Sequence, residues 1–350
     1  MAKKLNIALF LFTLLAYASP YISPAQAWLM GFISLTIPGL LLLHAFLLTY
    51  YIVQRKKWYI YSLIALALGY QYLLASFSVS NPADPTEETF SILSYNVRVF
   101  NTYAYLQDEN EPGKAMIDWL ASDTAQVKCL QEYYNNDRSG IFNTTAQLGL
   151  RGTYQAHIQP NLINRIGAEF GLAIFSRYPV LQRGIIALPD SAHFGIYVDL
   201  KVRQDTVRVY NVHLQSMSID ERDLSNFEGV KNNYTSVFQK LKQGFVGRAS
   251  QVDYLVSHLQ NSPHPVVVCG DFNDLPYSYT YFRMRRKLQN AFEQAGNGLG
   301  FSYNGRLFFL RIDNQFYSQS LKAHQYRTIR QVTHSDHFPV RTVYSFAKNQ

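Results

Sequence analysis

The chain has 350 residues and a formal net charge of +8, and 48% of its residues are hydrophobic and 15% aromatic. So many apolar side chains exclude a disordered protein. The charge does not indicate a nucleic-acid-binding surface, because residues 1–80 carry five basic residues and no acid, which leaves 27 basic against 24 acidic residues for the rest. Most of the positive excess therefore lies where membrane topology explains it.

Residues 1–80 predict an all-α transmembrane region of about three helices. Their apolar stretches cover residues 5–22, 28–53 and 58–77, and each can cross a hydrocarbon core of about 30 Å. Basic residues precede the first stretch and fill the loop between the second and third. Both basic clusters are expected to stay in the cytoplasm. The sequence thus predicts a multi-pass protein of the cytoplasmic membrane that contacts the lipid bilayer through its N-terminal helices, with everything after residue 80 on the extracytoplasmic side.

Residues 1–27 allow a second interpretation as a cleaved signal peptide. Two lysines precede the apolar run, and Ala25-Gln26-Ala27 has the small-x-small form of a cleavage site. The run is longer than the apolar region of most signal peptides. Two crossings that start outside also return the chain to the outside, so the soluble domain is extracytoplasmic under both interpretations.

A linker at residues 81–89 is predicted to separate this region from a catalytic domain at residues 90–350, because two prolines interrupt any continuing helix. Short β-rich apolar runs follow at residues 90–97, 127–130, 172–175, 196–202, 207–212 and 265–269. Amphipathic helical patterns at residues 113–121 and 248–260 lie between some of them. Alternation of this kind predicts an α/β domain.

Polar side chains that can bind metal or transfer protons follow these runs, where rigid backbone delivers them into a shared cleft. In chain order they are Asn96, Glu132, His213, Asp271, Asn273, Asp313, Asp336 and His337. A single carboxylate or histidine in such a place is more often a cap or a surface residue. Their combination is informative because four motifs occur together: Gln131-Glu132, Asn211-Val212-His213, Gly270-Asp271-Phe272-Asn273 and Ser335-Asp336-His337.

In this order the motifs resemble the endonuclease/exonuclease/phosphatase superfamily, a group of metal-dependent phosphodiesterases that includes deoxyribonuclease I, exonuclease III and the neutral sphingomyelinases. The resemblance covers about residues 90–343. It implies a four-layered α/β/β/α sandwich of two mixed β-sheets with the active-site cleft at one edge. It also implies Mg²⁺ as the cofactor, with Mn²⁺ as an alternative, and a phosphoester substrate that is either a nucleic acid or a phospholipid.

The metal requirement has a physical reason. Hydrolysis of an anionic phosphoester needs an electrophile that absorbs charge and a base that prepares the attacking water. Mg²⁺ prefers hard oxygen ligands and keeps several waters, which suits one or two carboxylates. We expect Glu132 to bind the metal, Asn96 to bind the metal or the phosphate, and Asp336 to lie at the metal or its water shell.

Four residues are predicted to carry the chemistry near the attacking water. Asp271 and Asn273 lie two positions apart on one turn and can orient the water jointly, and the resemblance implies that Asp271 is the base. His337 is similar to the family histidine that contacts the scissile phosphate. Asp313 is similar to the carboxylate that holds this ring and favours the imidazolium.

The resemblance implies a second histidine at the site. His213 resembles the family residue that binds phosphate or donates a proton to the leaving group. Glu169 is predicted to orient it, and a surface glutamate is the open alternative. The other histidines after residue 90 have no partner at metal-ligand spacing and are interpreted as structural or solvated, with His334, next to the Ser-Asp-His motif, as the one open exception: His157, His193, His258, His264, His324 and His334.

Two functions fit the sequence. The first is a membrane-anchored, extracytoplasmic, Mg²⁺-dependent phosphodiesterase, either a nuclease or a phospholipid headgroup phosphodiesterase. The alternative is a catalytically silent, membrane-tethered binding module of the same fold. The alternative predicts that at least one catalytic group is missing, whereas every expected group is present. Nothing in the sequence indicates an obligate protein partner.

Overall fold

The computed structural model of the protein describes residues 2–80, 88–102, 111–189, 193–217 and 227–347. The chain forms two compact units, and each is built from separate stretches. The first consists of Met1–Phe77, Met217–Asp253 and Asp274–Met284, and the second of Ser78–Ser216, Tyr254–Asn273 and Arg285–Gln350. The first unit therefore contains two stretches from beyond residue 90, and most of the predicted linker, residues 81–87, lies outside the described residues.

Most of the helices lie in the first unit, and the second unit contains fewer. In chain order they are α1 (Ala2–Ala18), α2 (Leu29–Ser34), α3 (Ile37–Val53), α4 (Tyr59–Leu68), α5 (Tyr70–Ser76), α6 (Glu111–Ser122), α7 (Thr144–Gly149), α8 (Phe227–Gln260), α9 (Tyr279–Arg285) and α10 (Ala291–Ala295). In the first unit, aromatic rings join α2 to α8: Phe32 stacks on Phe238 at 4.7 Å between ring centroids and meets Phe245 edge-on at 5.2 Å. This aromatic packing is the reason that part of α8 belongs with the N-terminal helices.

One helical stretch, Leu29–Val53, is long and apolar enough to cross a membrane. The pair Tyr59–Leu68 and Tyr70–Ser76 qualifies only as a span that is bent by 59°. The bend falls at Gly69, where a Cβ atom would lie 2.3 Å from the Tyr17 hydroxyl. Among the described residues the structure thus supports one span, or two with the bent pair, and it does not support the three predicted spans.

Strands form the body of the second unit. In chain order they are β1 (Ser78–Val79), β2 (Phe90–Asn96), β3 (Val127–Asn135), β4 (Gln155–Ile163), β5 (Glu169–Ser176), β6 (Val180–Ala187), β7 (Phe194–Val202), β8 (Asp205–His213), β9 (Val266–Asp271), β10 (Gln289–Asn290), β11 (Asn297–Gly298), β12 (Asp313–Tyr317), β13 (Leu321–Thr328) and β14 (Val340–Phe346). Twelve of them pair into two six-stranded sheets, in the orders β10-β12-β9-β8-β7-β6 and β13-β14-β2-β3-β5-β4, and β1 pairs with β11 in a separate two-stranded sheet. Both sheets are mixed, because β8 pairs with β9 and β2 with β3 in parallel while the other pairs are antiparallel.

The two sheets pack face to face, and this confirms the predicted sandwich of two mixed β-sheets. One apolar cluster lies between them and takes side chains such as Ile92 and Ile174 from one sheet and Val209 and Val267 from the other. A second cluster lies on the outer face of the β2 sheet, where α6 covers it. The central strands are apolar on both faces because both faces are covered, and every residue of β9 is buried.

Candidate functional site

Strand register brings three of the predicted residues into one row of the sheet that contains β9. His213, the last residue of β8, pairs with Asp271, the last residue of β9, and Asp271 pairs with Asp313, the first residue of β12. Neighbouring strands lie about 4.8 Å apart, so residues that are far apart in the chain become side-chain neighbours. All three strands terminate at this edge, and the chemistry-bearing groups lie there together.

Asn96 links the second sheet to this row. Its Nδ2 donates to Glu132 Oε1 at 3.0 Å and to Asp271 Oδ2 at 3.1 Å. Glu132 does not follow the end of its strand, as its sequence position suggested, but lies inside β3 where the β3–β5 register shifts between Leu130 and Tyr133. Its φ of 49° is in the left-handed region. This bulge turns the Glu132 carboxylate toward the edge where Asp271 lies.

The turn after β9 holds Asp271 and Asn273. The Asn273 backbone N–H donates to Asp271 Oδ1 at 2.8 Å, and the Asn273 side-chain amide donates to the Leu214 carbonyl at 3.0 Å. Glycine is required just before this turn, because Gly270 has a φ of 147° and a Cβ atom there would lie 1.9 Å from the Val212 carbonyl oxygen. The turn therefore fixes the Asp271 carboxylate, which is buried.

His337 and Asp313 form a buried pair. His337 Nδ1 lies 2.9 Å from Asp313 Oδ2, and His337 Nε2 lies 3.7 Å from Asp271 Oδ2. Burial by itself lowers the pKa of His337, but the carboxylates of Asp313 and Asp271 outweigh this effect and raise the pKa to about 10. The imidazolium is thus the favoured form near neutral pH. A cationic N–H group at this place can donate to a phosphoryl oxygen.

His213 faces the carboxylates, and Glu169 does not contact it. His213 Nε2 lies 3.7 Å from Asp271 Oδ2 and 3.9 Å from Glu132 Oε1. Glu169 pairs with Asn135 across β5 and β3, and its Oε2 accepts from Asn135 Nδ2 at 3.4 Å. Within the described part of the chain no hydrogen bond or ion pair joins Glu169 to His213. The structure thus does not bring together the predicted pair, because strand register directs Glu169 to Asn135.

Asp336 lies at the rim of the site beside Arg98, which the sequence analysis missed. Arg98 Nε is 3.4 Å from Asp336 Oδ2, and about half of the Arg98 side chain is exposed. The segment Arg98–Asn101 that follows β2 has four consecutive non-glycine residues with φ between 46° and 54°. Left-handed backbone costs about 1–2 kcal/mol per residue, and such strain is concentrated at functional sites. The only sequence signal for Arg98 is its place two residues after Asn96.

Oxygen donors converge where a divalent cation is expected. Asp271, Asp313 and His337 each offer a ligand atom, and these atoms lie within 4.8 Å of one another. Asp313 Oδ1 is buried, and no hydrogen-bond partner contacts it among the described residues. Glu132 and Asp271 in turn share the amide of Asn96. Hard carboxylate oxygens are the ligands that Mg²⁺ and Mn²⁺ prefer, so the carboxylates of Glu132, Asp271 and Asp313 fit such an ion, whereas the protonated His337 ring does not.

A buried polar link beneath the site joins the two sheets. The side-chain amide of Gln131 donates to Asn211 Oδ1 at 2.5 Å, and Asn211 Nδ2 donates to the carbonyls of Leu130 and Ala173 at 2.9 and 3.0 Å. Gln131 and Asn211 are each within two residues of a predicted site residue, and the sequence analysis gave neither a role. Since both side chains are fully buried, the link sets the spacing between β3, which carries Glu132, and β8.

Asn211→Leu is expected to destabilise the protein by at least about 2 kcal/mol, because it leaves the partners of Asn211 buried without hydrogen bonds. For a domain of this size the thermal midpoint falls by about 5 °C or more. Thermal unfolding of the full chain in detergent measures this shift. The same substitution at the exposed Asn261 serves as the control, and equal midpoints for the two variants would contradict the role of the link.

The sequence model of a family described as "Endonuclease/Exonuclease/phosphatase family" matches residues 93–337. A second family model, described as a domain of unknown function, matches residues 2–76. No protein among those with curated functions matches the chain. The match at residues 93–337 includes all the residues that the structure brings together at the sheet edge.

Several solved structures share the fold. The catalytic domain of human Nocturnin with bound sulfate is 17% identical and covers 74% of this chain and 95% of its own, with a TM-score of 0.53. A mannosyl-6-phosphatase of Bacteroides thetaiotaomicron is 15% identical over 73% of this chain and 100% of its own, with a TM-score of 0.53. An endonuclease/exonuclease/phosphatase family protein of the same bacterium is 15% identical over 74% and 98%, with a TM-score of 0.55. At these identities the likeness shows the fold alone.

Proposed function

The chain belongs to the endonuclease/exonuclease/phosphatase family, and from this membership we propose that it is a divalent-metal-dependent hydrolase of phosphoester bonds with Asp271 as the catalytic base. The observation that carries the proposal is the position of Asp271. Its carboxylate is held by Asn96 and by the Asn273 backbone, and both histidines lie 3.7 Å away. A buried carboxylate between two proton-carrying groups is the arrangement that acid–base hydrolysis requires.

Each group has a task in the proposed reaction. Asp271 accepts a proton from the attacking water, which Asn273 helps to position. His337 donates its Nε2–H to a phosphoryl oxygen, and Asp313 holds the ring at 2.9 Å in the orientation that this needs. His213 donates a proton to the leaving oxygen.

Glu132 and Asn96, the latter through its Oδ1, would hold the ion, and Asp336 would lie at the ion or its water shell. Mg²⁺, when bound, supplies a Lewis acid that neutralises charge on the phosphoryl group. The fit rests on the hard oxygen donors of these side chains. We propose Mg²⁺ as the resident ion and Mn²⁺ as the alternative, because both accept this donor set.

A panel of substrates tests the reaction. The full chain in detergent is assayed with Mg²⁺ on plasmid DNA, RNA, sphingomyelin, phosphatidylinositol phosphates, mannose 6-phosphate and bis-p-nitrophenyl phosphate. The sugar phosphate is included because a mannosyl-6-phosphatase shares the fold. We expect turnover of at least one of these esters. A folded protein that binds Mg²⁺ and hydrolyses none of them would favour the catalytically silent binding module instead.

Arg98→Ala is expected to raise KM for an anionic substrate by about tenfold with little change in kcat. A charge-assisted hydrogen bond from a guanidinium to phosphate contributes about 1.5–3 kcal/mol, and Arg98 lies beside Asp336 at the rim rather than at the reacting atoms. Steady-state kinetics measure KM and kcat separately. Arg183, which is exposed on β6, gives the matched Arg→Ala control, and an unchanged KM for Arg98→Ala would remove Arg98 from substrate binding.

We also propose that the protein is anchored in the cytoplasmic membrane with its catalytic domain outside. Large apolar side chains on α3 are exposed by 74% at Leu42, 66% at Phe46 and 72% at Val53, and such a surface suits lipid. Arg55, Lys56 and Lys57 follow this span and belong in the cytoplasm. The catalytic domain is then extracytoplasmic only if the bent pair α4 and α5 also crosses.

A reporter fused after residue 350 tests this topology. Alkaline phosphatase, which is active only outside the cytoplasm, is expected to be active in the fusion. A fluorescent protein that matures only in the cytoplasm is expected to remain dark when it is fused at the same position. The reverse pattern would show that Leu29–Val53 crosses alone and that the catalytic domain is cytoplasmic.

A further inference from the structure

A cavity of about 220 Å³ opens beside the candidate site. Glu132 and His213 form the wall nearest the site, and the apolar residues Phe170, Leu172 and Phe194 form much of the rest. Asp271, Asn273 and His337 do not line it. The cavity therefore extends from the His213 side of the site and away from the side where the attacking water is prepared.

Few of the described lining residues are ionisable. Glu132 is the only acidic residue among the described residues that line the cavity, and none of the lining residues is Lys or Arg. His193 lies in the wall with its ring perpendicular to that of His213, at 5.6 Å between centroids. Burial lowers the pKa of His193 and the nearby His213 lowers it further, and together they outweigh the opposite effect of Asp271. Glu132 repels an anionic group from this cavity, whereas the apolar side chains of the wall accept an uncharged apolar group.

We infer that this cavity is the subsite for the alcohol side of the substrate, and that it takes an uncharged, ring-sized apolar group. The inference rests on the proposed hydrolysis. In an in-line displacement the water and the leaving oxygen lie on opposite sides of phosphorus. The water O–P bond forms as the ester P–O bond breaks, the water proton passes to Asp271, and His213 returns a proton to the leaving oxygen. The group on that oxygen then points past His213 into the cavity.

The size of the cavity agrees with one ring. An apolar cavity of about 150 Å³ binds benzene, so about 220 Å³ is enough for a substituted six-membered ring. The subsite thus favours esters whose alcohol is aromatic or carries an apolar ring next to the leaving oxygen. A methyl ester would leave most of the cavity empty.

Phosphonates that cannot be hydrolysed separate binding from turnover. Calorimetric titration of the full chain in detergent, with Mg²⁺ present, compares benzylphosphonate, whose ring lies where the leaving group would be, with methylphosphonate. Wild type is expected to bind benzylphosphonate at least about tenfold more tightly. Leu172→Trp fills the cavity and is expected to abolish this preference, while Leu181→Trp at an exposed site on β6 keeps it.

A second variant guards against misfolding of Leu172→Trp. Phe194 is partly exposed at the start of β7, so Phe194→Ala enlarges the cavity without filling buried space. It is expected to weaken benzylphosphonate binding and to shift the preference toward naphthylmethylphosphonate, with methylphosphonate unchanged. Equal affinity of wild type for benzyl- and methylphosphonate, or binding of neither, overturns the subsite. Failure of hydrolysis across the substrate panel, with the benzyl preference intact, overturns the proposed reaction and leaves the subsite standing.

Discussion

Asp271→Asn is expected to lower kcat by about 10²–10⁴-fold, the contribution of a positioned general base. The substitution keeps the size of the side chain and removes the charge that lies between His213 and His337. It also removes a carboxylate that contributes to the raised pKa of His337. The effect belongs in kcat because the base acts on the water in the transition state. Single-turnover hydrolysis of a substrate from the panel measures the loss.

Asp205→Asn provides the matched control, because Asp205 is exposed at the turn between β7 and β8. It should leave kcat unchanged. Thermal unfolding of both variants shows whether folding is preserved, since an inactive variant that is also unfolded says nothing about catalysis. A folded Asp271→Asn protein with near-normal turnover would mean that another group prepares the water.

Removal of divalent metal with EDTA is expected to abolish hydrolysis, and added Mg²⁺ is expected to restore it. The expectation comes from the cluster of carboxylates at the sheet edge, because an anionic phosphoester meets repulsion there unless a cation neutralises the charge. Glu132→Gln is expected to raise the Mg²⁺ concentration for half-maximal activity by at least about tenfold. Activity measured across a Mg²⁺ titration gives both results.

Glu88→Gln is the control for this titration, because Glu88 is exposed and far in sequence from the motifs. Its metal requirement should equal that of wild type. Full activity in EDTA would exclude metal-dependent hydrolysis. A Glu132→Gln variant with a normal Mg²⁺ requirement would show that Glu132 is not a ligand of the ion.

The six strands predicted from apolar runs all exist, whereas strands with polar sequences were missed. Nearly all the side chains of β9 and β2 are buried, and such strands read as continuous apolar runs. β4 and β6 are the outermost strands of their sheets, and many of their side chains are exposed. An edge strand has one neighbour and needs little apolar sequence, so its pattern resembles that of a loop.

The predicted helices differ from the structure in length and in number. The pattern at residues 248–260 is part of a longer helix, Phe227–Gln260, whose earlier residues are more polar. Three apolar stretches predicted three membrane spans, but only Leu29–Val53 forms one span of sufficient length without a sharp bend. Apolar length sets an upper limit on the number of spans. At the bend Gly69 lies close to Tyr17, a contact between distant residues that no local pattern encodes.

The sequence by itself determined the α/β class, the order of the motifs and the residue types of the candidate site. These properties depend on apolar runs and motifs of neighbouring residues in the chain. Only the tertiary structure decided which of these residues meet. Strand register brought Asp271, His213 and Asp313 together, a bulge turned Glu132 toward them, and register sent Glu169 to Asn135 instead of His213. A change of register by one residue moves a side chain to the other face of a sheet, and register depends on contacts between residues that are distant in the chain.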